Sequence, residues 1–342
     1  MNPIKLSVIL PCYNVEQYIA VCLDSLYAQD IPETEYEVIC VNDCSPDNGR
    51  SIVLEYQKQH KNLMLIDHDV NKKQGGARNS GLKIATGKYI WFVDPDDFVE
   101  NNVFNKLVTI IEENNLDILH FNAKKINENK ILSDYFYFPG TEKVITGIEY
   151  LKDDRVPYWK RQVTPWSKLY KKEFLTQNRI VFPENVFLED NVHSLLSLLH
   201  CTRFFYLNDF IYYYRQNESS TMNQNVLGGA KLADRVRYEV ECVSILEKWK
   251  NIDHEVSSLI IPMYRYHLIN RKKSLLKMSL TELNAFYKGI KSIDKNNFIH
   301  QLSFKDNFIY RFPYLILLLT TALAPVFWFS RNLKWLISKF RV

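Results

Sequence analysis

The stretch YIWFVDPDD, residues 89–97 of this 342-residue chain, combines a buried-strand pattern with an acidic cluster. Five apolar side chains, typical of a strand buried inside a sheet, are followed by three carboxylates within four residues. Carboxylates this close repel one another at neutral pH unless a cation or hydrogen bonds compensate. Polar stretches also follow two earlier apolar runs, at residues 11–14 (PCYN) and 42–47 (NDCSPD). Because ligands of open α/β sheets bind beyond the carboxyl ends of the strands, these stretches predict one polar site at a sheet edge.

Strands and helices alternate over about the first 120 residues, which predicts an α/β fold with a mostly parallel, twisted sheet and helices on both faces. A capping box of Asn14 and Gln17 is expected to open the first helix. The third helix is expected at residues 77–85, with Gly87 as its C-terminal cap. The strands are expected at residues 6–10, 37–41, 63–66 and 89–93.

The pattern changes along the chain and predicts three regions. Residues 1–225 form the α/β domain, in which a regular half at about 1–121 precedes a more irregular, aromatic half at about 122–225. Residues 226–300 are amphipathic and predict a helical extension. Residues 301–342 form an apolar and basic tail.

Composition excludes several classes of protein. Apolar residues make up 46% and charged residues 24%, as in ordinary folded domains. The net charge of +4 is too small to indicate nucleic acid as a partner. The six cysteines form no CxxC pair, which argues against a zinc site. The N-terminal residues lack the apolar segment of a signal peptide, so the sequence predicts a cytoplasmic location.

The polar residues after the strands favour some classes of ligand over others. Neither a GxGxxG motif after the first strand nor a P-loop is present, which argues against dinucleotide and P-loop nucleotide binding. Mg²⁺ and Mn²⁺ take few protein carboxylates and complete their shell with phosphate and water, so the carboxylates at 94–97 fit such an ion with a diphosphate. The alternative is that these aspartates cap a turn and the following helix, and Asp43 alone also fits an Asx turn.

Four segments in order resemble the signatures of family 2 glycosyltransferases. They are SVILPCYN at 7–14, VNDCSPD at 41–47, GARNSGL at 76–82 and WFVDPDD at 91–97. The resemblance covers roughly residues 5–215 and implies the GT-A fold, a nucleotide-sugar donor and an inverting mechanism. Asn42 departs from the pattern, since the family more often has an aspartate there.

The resemblance also implies roles for individual residues on the donor side. Asp43 accepts a hydrogen bond from the nucleobase. Arg78 lies near the diphosphate, although a solvated helix residue is the alternative. Asp94 approaches the ribose or the metal, and Asp96 binds the metal, Mn²⁺ or Mg²⁺. The nucleotide pocket is further lined by Pro11, Tyr13 and Asn14.

On the acceptor side, inversion requires a base that removes the proton of the acceptor hydroxyl. The LEDNVH segment at 188–193 resembles the family's Glu-Asp motif, which implies Asp190 as the base and Glu189 as second choice. Helix capping is the alternative role for Asp190. Trp166 is assigned to stacking on a sugar, with a core or membrane-facing role as the alternative, and Asp97 to the acceptor. The tyrosines at 212–214 predict a half-buried strand.

The tail combines apolar length with positive charge. Residues 305–342 contain six basic residues against one acid, Asp306. Its apolar run, residues 312–329, lies near the lower limit of the roughly 20 residues needed to span a bilayer and contains Pro313 and Pro325. Basic flanks and two prolines favour an element lying in an anionic membrane surface. A buried helical hairpin and a single span are the alternatives.

Together these features predict a metal-dependent, inverting glycosyltransferase attached peripherally to the inner face of the cell membrane. Its acceptor is expected to be a saccharide or a lipid-linked saccharide of a surface polysaccharide. A sugar nucleotidyltransferase is a second hypothesis, but such enzymes usually have a Gly-rich basic loop where this chain has PCYN at 11–14. A membrane-tethered, non-catalytic saccharide-binding scaffold is a third, and it predicts loss of the aspartates, which are all present.

Overall fold

Near-continuous apolar runs form the central strands of the sheet. The computed structural model describes residues 3–127, 130–153, 155, 164–186, 188–216, 242 and 245. β1 (Leu6–Cys12) and β2 (Tyr36–Asn42) are buried along their whole length, as expected for strands enclosed on both faces. The other strands are β3 (Leu63–Asp67), β4 (Tyr89–Phe92), β5 (Phe98–Val99), β6 (Ile118–Asn127), β7 (Lys130–Phe136), β8 (Lys168–Lys171) and β9 (Phe204–Arg215).

Helices pack against this sheet through apolar faces. In α4, the buried residues Phe104, Leu107, Val108 and Ile111 follow the spacing of one helix face. This helix contacts β6 and β8, whereas α3 contacts β1 and β2. The helices are α1 (Ile19–Tyr27), α2 (Gly49–Gln59), α3 (Lys73–Ile84), α4 (Phe104–Glu113), α5 (Gly147–Lys152), α6 (Lys172–Gln177) and α7 (Glu189–His200), with a 3₁₀ helix at Pro165–Ser167.

The α/β class is confirmed, but the sheet is mixed. Its strand order is β3-β2-β1-β4-β8-β6-β9-β5, and β7 pairs with β6. The pairs β1–β2, β2–β3, β1–β4 and β6–β9 are parallel. The pairs β4–β8, β5–β9, β6–β7 and β6–β8 are antiparallel. The expectation of a mostly parallel sheet is therefore wrong for the second half of the domain. There, β7 follows β6 after two residues, too short a connection for a parallel crossover.

Two helix boundaries differ from the sequence expectation. Asn14 does not cap α1, because its backbone is left-handed (φ 54°) and its N–H donates to Ser45 Oγ at 2.9 Å. The helix begins only at Ile19, without a side-chain cap. Helix α3 begins at Lys73, earlier than expected, and its C-terminal cap is Ala85, so Gly87 does not cap it.

Gly87 instead allows a close approach between two backbone segments. A Cβ on this residue would lie 2.5 Å from Ser7 Oγ and 2.6 Å from the Ser7 nitrogen. Its N–H donates to Ser7 Oγ at 2.8 Å. The residue therefore fixes how closely the chain entering β4 packs against β1.

The chain divides into two compact units, Met1–Asn225 and Val226–Val342. The expected helical extension at 226–300 lies almost entirely outside the described residues, as do the tail at 301–342 and its apolar run. Within the described part, no helix combines the length and the apolar character required to cross a bilayer.

Replacing Gly87 tests this packing. Because the nearest atoms include the fixed backbone of β1, Gly87→Ala is expected to destabilise the fold by about 1–3 kcal/mol, the usual cost of overpacking. Gly49→Ala is the matched control, since the nearest atom to its Cβ is a side-chain oxygen of Asp47 at 3.2 Å, a much smaller overlap than at Gly87. Urea unfolding measures both. A Gly87 variant as stable as the Gly49 variant would contradict the close-approach interpretation.

Candidate active site

The carboxyl ends of β1, β2 and β4 meet at one edge of the sheet. Cys12 pairs with Asn42 across β1 and β2, and β4 runs parallel to β1 on its other side. Tyr13 and Asp43 directly follow β1 and β2, and Asp94 comes two residues after the end of β4, so the three residues share this edge. The sequence prediction of one polar site at this place agrees with the strand register.

The predicted pocket residues on β1 take different positions. Pro11 is buried within β1, opposite Val41. Tyr13 is 44% exposed, so its ring is accessible to a ligand. Asn14 is tied to Ser45 by its backbone N–H, as described above.

A fully buried arginine lies at the centre of the site. Arg78, in α3, donates through Nη2 to Asp94 Oδ1 at 2.7 Å. Its Nη1 donates to Glu189 Oε1 and to Asp190 Oδ1, both at 2.7 Å. One guanidinium thus holds the Asp94 loop of the first half together with the first turn of α7 in the second half.

The Arg78 guanidinium forms ion pairs with all three of these carboxylates. The aromatic ring of Phe182 packs against it, with the ring centroid 5.1 Å from the guanidinium carbon. Within the described residues, Nε makes no hydrogen bond. Arg78 therefore holds three acidic side chains in place. Its contact with a diphosphate stays a prediction.

Three carboxylates around one guanidinium leave an excess of negative charge. Burial raises the pKa of Asp190 well above its ordinary value, and the charges of Glu189 and Asp94 add to this effect while Arg78 opposes it. Burial likewise raises the pKa of Glu189. A carboxylate with a raised pKa is a stronger base, which suits proton removal near neutral pH.

Glu189 and Asp190 differ in the exposed fraction of their side chains. The Glu189 side chain is 4% exposed, whereas that of Asp190 is 23% exposed. Helix α7 has Leu188 as its N-cap residue and no side-chain cap, so Asp190 does not take the alternative role of helix capping. Of the two, Asp190 is the acid that is more accessible to a ligand.

The segment that precedes these acids, around Phe182 and Pro183, is hydrogen-bonded to α3 and packed against it. The Asn79 amide donates to the Phe182 carbonyl and accepts from the Phe182 N–H, both at 2.9 Å. A Cβ on Gly75 would lie 2.2 Å from the Pro183 carbonyl oxygen, so only glycine allows this approach. Leu188 then adopts a left-handed conformation (φ 65°) directly before α7. The GGARN segment at 75–79 therefore positions the acids 110 or so residues away.

Strand β9 holds the loop at 94–97. The Tyr212 hydroxyl donates to Asp97 Oδ2 at 2.7 Å and accepts the Asp94 N–H at 3.1 Å. The Arg215 N–H donates to Asp97 Oδ1 at 2.7 Å, and its Nε donates to the Asp96 carbonyl at 3.0 Å. The sequence indicated a strand here, which is confirmed, but nothing in the local pattern indicated these contacts.

Two residues assigned to the acceptor side are buried. Asp97 is 1% exposed and both of its carboxylate oxygens accept hydrogen bonds from β9, a placement that does not favour contact with an acceptor. Trp166 is also buried, stacks on Tyr212 at 4.3 Å, and accepts through its carbonyl from Trp91 Nε1 at 2.7 Å. For Trp166 the core role, which the sequence left open, matches this placement.

The residues present fit a divalent cation that is shared with a ligand. Asp94 and Asp96 offer hard carboxylate oxygens on one loop, and Asp94 keeps one oxygen that Arg78 does not engage. Across the described ranges, no group of three or more potential ligands gathers. Two carboxylates on one loop suit Mg²⁺ or Mn²⁺ when phosphate oxygens and water complete the coordination.

A buried polar group lies behind the site, at the start of β8. The fully buried Lys168 donates through Nζ to the Thr164 carbonyl at 2.7 Å. Ser167 Oγ lies 2.6 Å from Thr164 Oγ1 and 3.0 Å from His120 Nε2. Burial lowers the pKa of Lys168 to about 7, although the charge of Asp190 opposes the shift.

Removing Arg78 is expected to destabilise the fold strongly. Arg78→Ala leaves the buried Glu189 and the partly exposed Asp94 and Asp190 without their cation, and breaking a buried ion pair in this way typically costs about 3–5 kcal/mol. The control is Arg50→Ala, which removes an exposed bidentate pair with Asp67 and should leave the urea midpoint nearly unchanged. Equal, small effects of the two substitutions in urea unfolding would contradict the central role of Arg78.

The lowered pKa of Lys168 predicts how the free energy of unfolding depends on pH. The folded state releases its proton near pH 7 and the unfolded state near 10.5, so between these values the unfolded state binds more protons. The free energy of unfolding of the wild type should therefore rise with pH relative to Lys168→Met, by up to about 1.4 kcal/mol per pH unit. Unfolding at pH 7, 8 and 9 measures the difference. A constant difference across this range would show that Lys168 stays charged.

Comparison with known proteins assigns this geometry to a family. The model of glycosyl transferase family 2 matches residues 7–184. The chain is 34% identical over 212 residues to the poly(ribitol-phosphate) beta-glucosyltransferase of Bacillus spizizenii, an alignment that covers 61% of this chain and 32% of the relative. It is 30% identical over 252 residues to the uncharacterized glycosyltransferase YibD of Escherichia coli, covering 71% of this chain and 70% of the relative.

A solved structure supports the same assignment. The crystal structure of Staphylococcus aureus TarS residues 1–349 in complex with UDP-GlcNAc superposes with a TM-score of 0.64 at 25% identity, covering 91% of this chain and 88% of that one. The chain spans about a third of the full length of the Bacillus spizizenii relative. The family match, the α/β fold and the site at the strand ends agree: the chain belongs to glycosyl transferase family 2, with a GT-A-like fold.

Proposed function

We propose that this protein is an inverting glycosyltransferase that moves a sugar from a UDP-sugar to a hydroxyl group of a bacterial surface polymer. The observation that carries the proposal is the contact of Arg78 with both Asp94 and Asp190. It brings a base of raised pKa beside the loop expected to bind the donor. Family membership favours this function over the sugar nucleotidyltransferase and the non-catalytic scaffold.

The proposed chemistry uses Asp190 as the base. Its carboxylate removes the proton from the acceptor hydroxyl while that oxygen attacks the anomeric carbon. The bond between the anomeric carbon and the diphosphate oxygen breaks, and the diphosphate leaves with the electron pair. Attack from the side opposite the leaving group inverts the anomeric configuration. Glu189, which is more deeply buried, holds Arg78 and acts only through it.

On the donor side, Asp94 and Asp96 would hold the proposed cation, Mn²⁺ or Mg²⁺. A bound ion would supply positive charge to the departing diphosphate. Asp43, at the end of β2, is the proposed contact of the nucleobase, and the exposed ring of Tyr13 is available to stack on it.

The acceptor is proposed from the relatives. The Bacillus spizizenii relative and Staphylococcus aureus TarS are both named for poly(ribitol-phosphate), which makes a polyol-phosphate or saccharide polymer the class of acceptor to test. The tail at 301–342, through its basic residues, is proposed to attach the enzyme to the inner, anionic face of the cell membrane, where lipid-linked acceptors are available.

Substitution of the base tests the function. Asp190→Asn keeps the hydrogen-bonding shape but cannot take the proton, so transfer from a UDP-sugar should fall by about 10²–10⁴ while UDP binding persists. Because protonation of Asp190 stops the reaction, the wild-type rate should also fall on the acid side at a pH above that of an ordinary aspartate. Glu189→Gln is the control and should lose less activity.

Rates of sugar transfer and calorimetric titration with UDP provide the two readouts. Near-normal transfer by Asp190→Asn would remove Asp190 from the mechanism. A larger loss in Glu189→Gln than in Asp190→Asn would give the role of base to Glu189.

A further inference from the structure

A second charged group lies apart from the Arg78 cluster, around Asp43. This aspartate is 2% exposed at the end of β2. Its Oδ1 accepts the Lys72 N–H at 2.8 Å and lies 2.7 Å from His68 Nδ1. Its Oδ2 is buried and, among the described residues, meets no hydrogen-bond donor. A buried carboxylate oxygen without a donor is costly unless a ligand provides one.

His68 is itself fixed at both ends. Its backbone N–H donates to the Asn42 carbonyl at 2.9 Å, which ties it to the end of β2. Its Nε2 lies 2.8 Å from Ser80 Oγ in α3. A hydroxyl is able to donate to a neutral ring nitrogen or accept from a protonated one, so Nδ1 donates to Asp43 in either state. The imidazole therefore cannot turn away without breaking two side-chain hydrogen bonds.

We propose that His68 is a positioning residue for nucleobase recognition, which, together with the Lys72 amide, saturates Oδ1 of Asp43 and thereby directs Oδ2 at an N–H of the donor base. The proposal rests on the proposed function, because it requires a nucleotide-sugar donor. Asp43 would touch the base, whereas His68 acts through Asp43.

Because Oδ2 of Asp43 accepts hydrogen bonds, its interaction with a base depends on the groups at the edge of that base. Uracil presents an N–H at N3, which a carboxylate oxygen accepts. Cytosine has a lone pair at N3, which the same oxygen repels. An Asp43 carboxylate held in one orientation towards N3 thus favours uracil over cytosine, and a carboxylate free to rotate discriminates less between these two bases. Pre-organised acceptors of this kind gain specificity because the wrong partner leaves a buried polar group unpaired.

The exposed ring of Tyr13 lies at the same edge. The Asp43 N–H donates to the Cys12 carbonyl at 2.9 Å, so the residue after β2 is tied to the residue before Tyr13. A planar base with an N–H on its edge is able to stack on an aromatic ring and to donate to a carboxylate oxygen.

Binding of UDP and CDP to the full chain tests the proposal. His68→Ala leaves Asp43 with the Lys72 amide alone, and we expect UDP to bind about tenfold more weakly while CDP changes little, so the UDP/CDP ratio falls about tenfold. His68→Asn places an amide N–H where Nδ1 was and should restore the ratio to within about threefold of the wild type. Ser80→Ala, which removes only the anchor of the ring, should lower the ratio by a smaller factor.

His60→Ala is the matched control, because His60 makes a comparable bond to Glu33 at 2.9 Å and stacks on Tyr27, away from this edge of the sheet. It should leave the UDP/CDP ratio unchanged. Calorimetric titration gives the ratio, and circular dichroism confirms that each variant is folded.

The outcomes separate the two proposals. If the wild type binds no UDP, both the proposed function and the proposed role of His68 are overturned. If the wild type prefers UDP and folded His68→Ala keeps the same ratio, only the role of His68 is overturned. Should His68→Ala not fold, Ser80→Ala and His68→Asn decide: a lowered ratio in the first, with a near-normal ratio in the second, supports the proposal. An unchanged ratio in Ser80→Ala would then overturn it.

Discussion

A guanidinium without any exposed surface must find its counter-charges inside the protein, and the site is arranged around this requirement of Arg78. Its partners come from the loop after β4 and from the start of α7, which are almost a hundred residues apart. A buried charge that loses a partner is strongly destabilising, so the fold is stable only when both segments are in place. The same contacts put a carboxylate of raised pKa beside the donor loop.

Further long-range contacts make this arrangement rigid. Asn79 fixes the backbone at Phe182, and Tyr212 fixes the loop that carries Asp94. Each contact joins the regular first half of the domain to the irregular second half. The site residues thus come from both halves, and contacts between the halves hold them in place.

Much of the first half could be predicted from the sequence, because apolar runs and polar strand ends are local signals. The strands around residues 89–93 and the shared edge of Tyr13, Asp43 and Asp94 follow from such signals. The mixed pairing in the second half could not be predicted, since strand partners are not encoded in any one stretch. For the same reason Tyr212 was recognised as part of a strand but not as a partner of Asp97.

The most direct test of the account is a double-mutant cycle between Asp94→Asn and Asp190→Asn, with the free energy of unfolding measured in urea. If both carboxylates share Arg78, neutralising the second costs more once the first is gone. The account therefore predicts that the double variant departs from the sum of the single effects by about 0.5–3 kcal/mol, as contacting residues do. Additivity to within about 0.3 kcal/mol would show that Arg78 does not couple the two halves of the site, and would contradict the central claim.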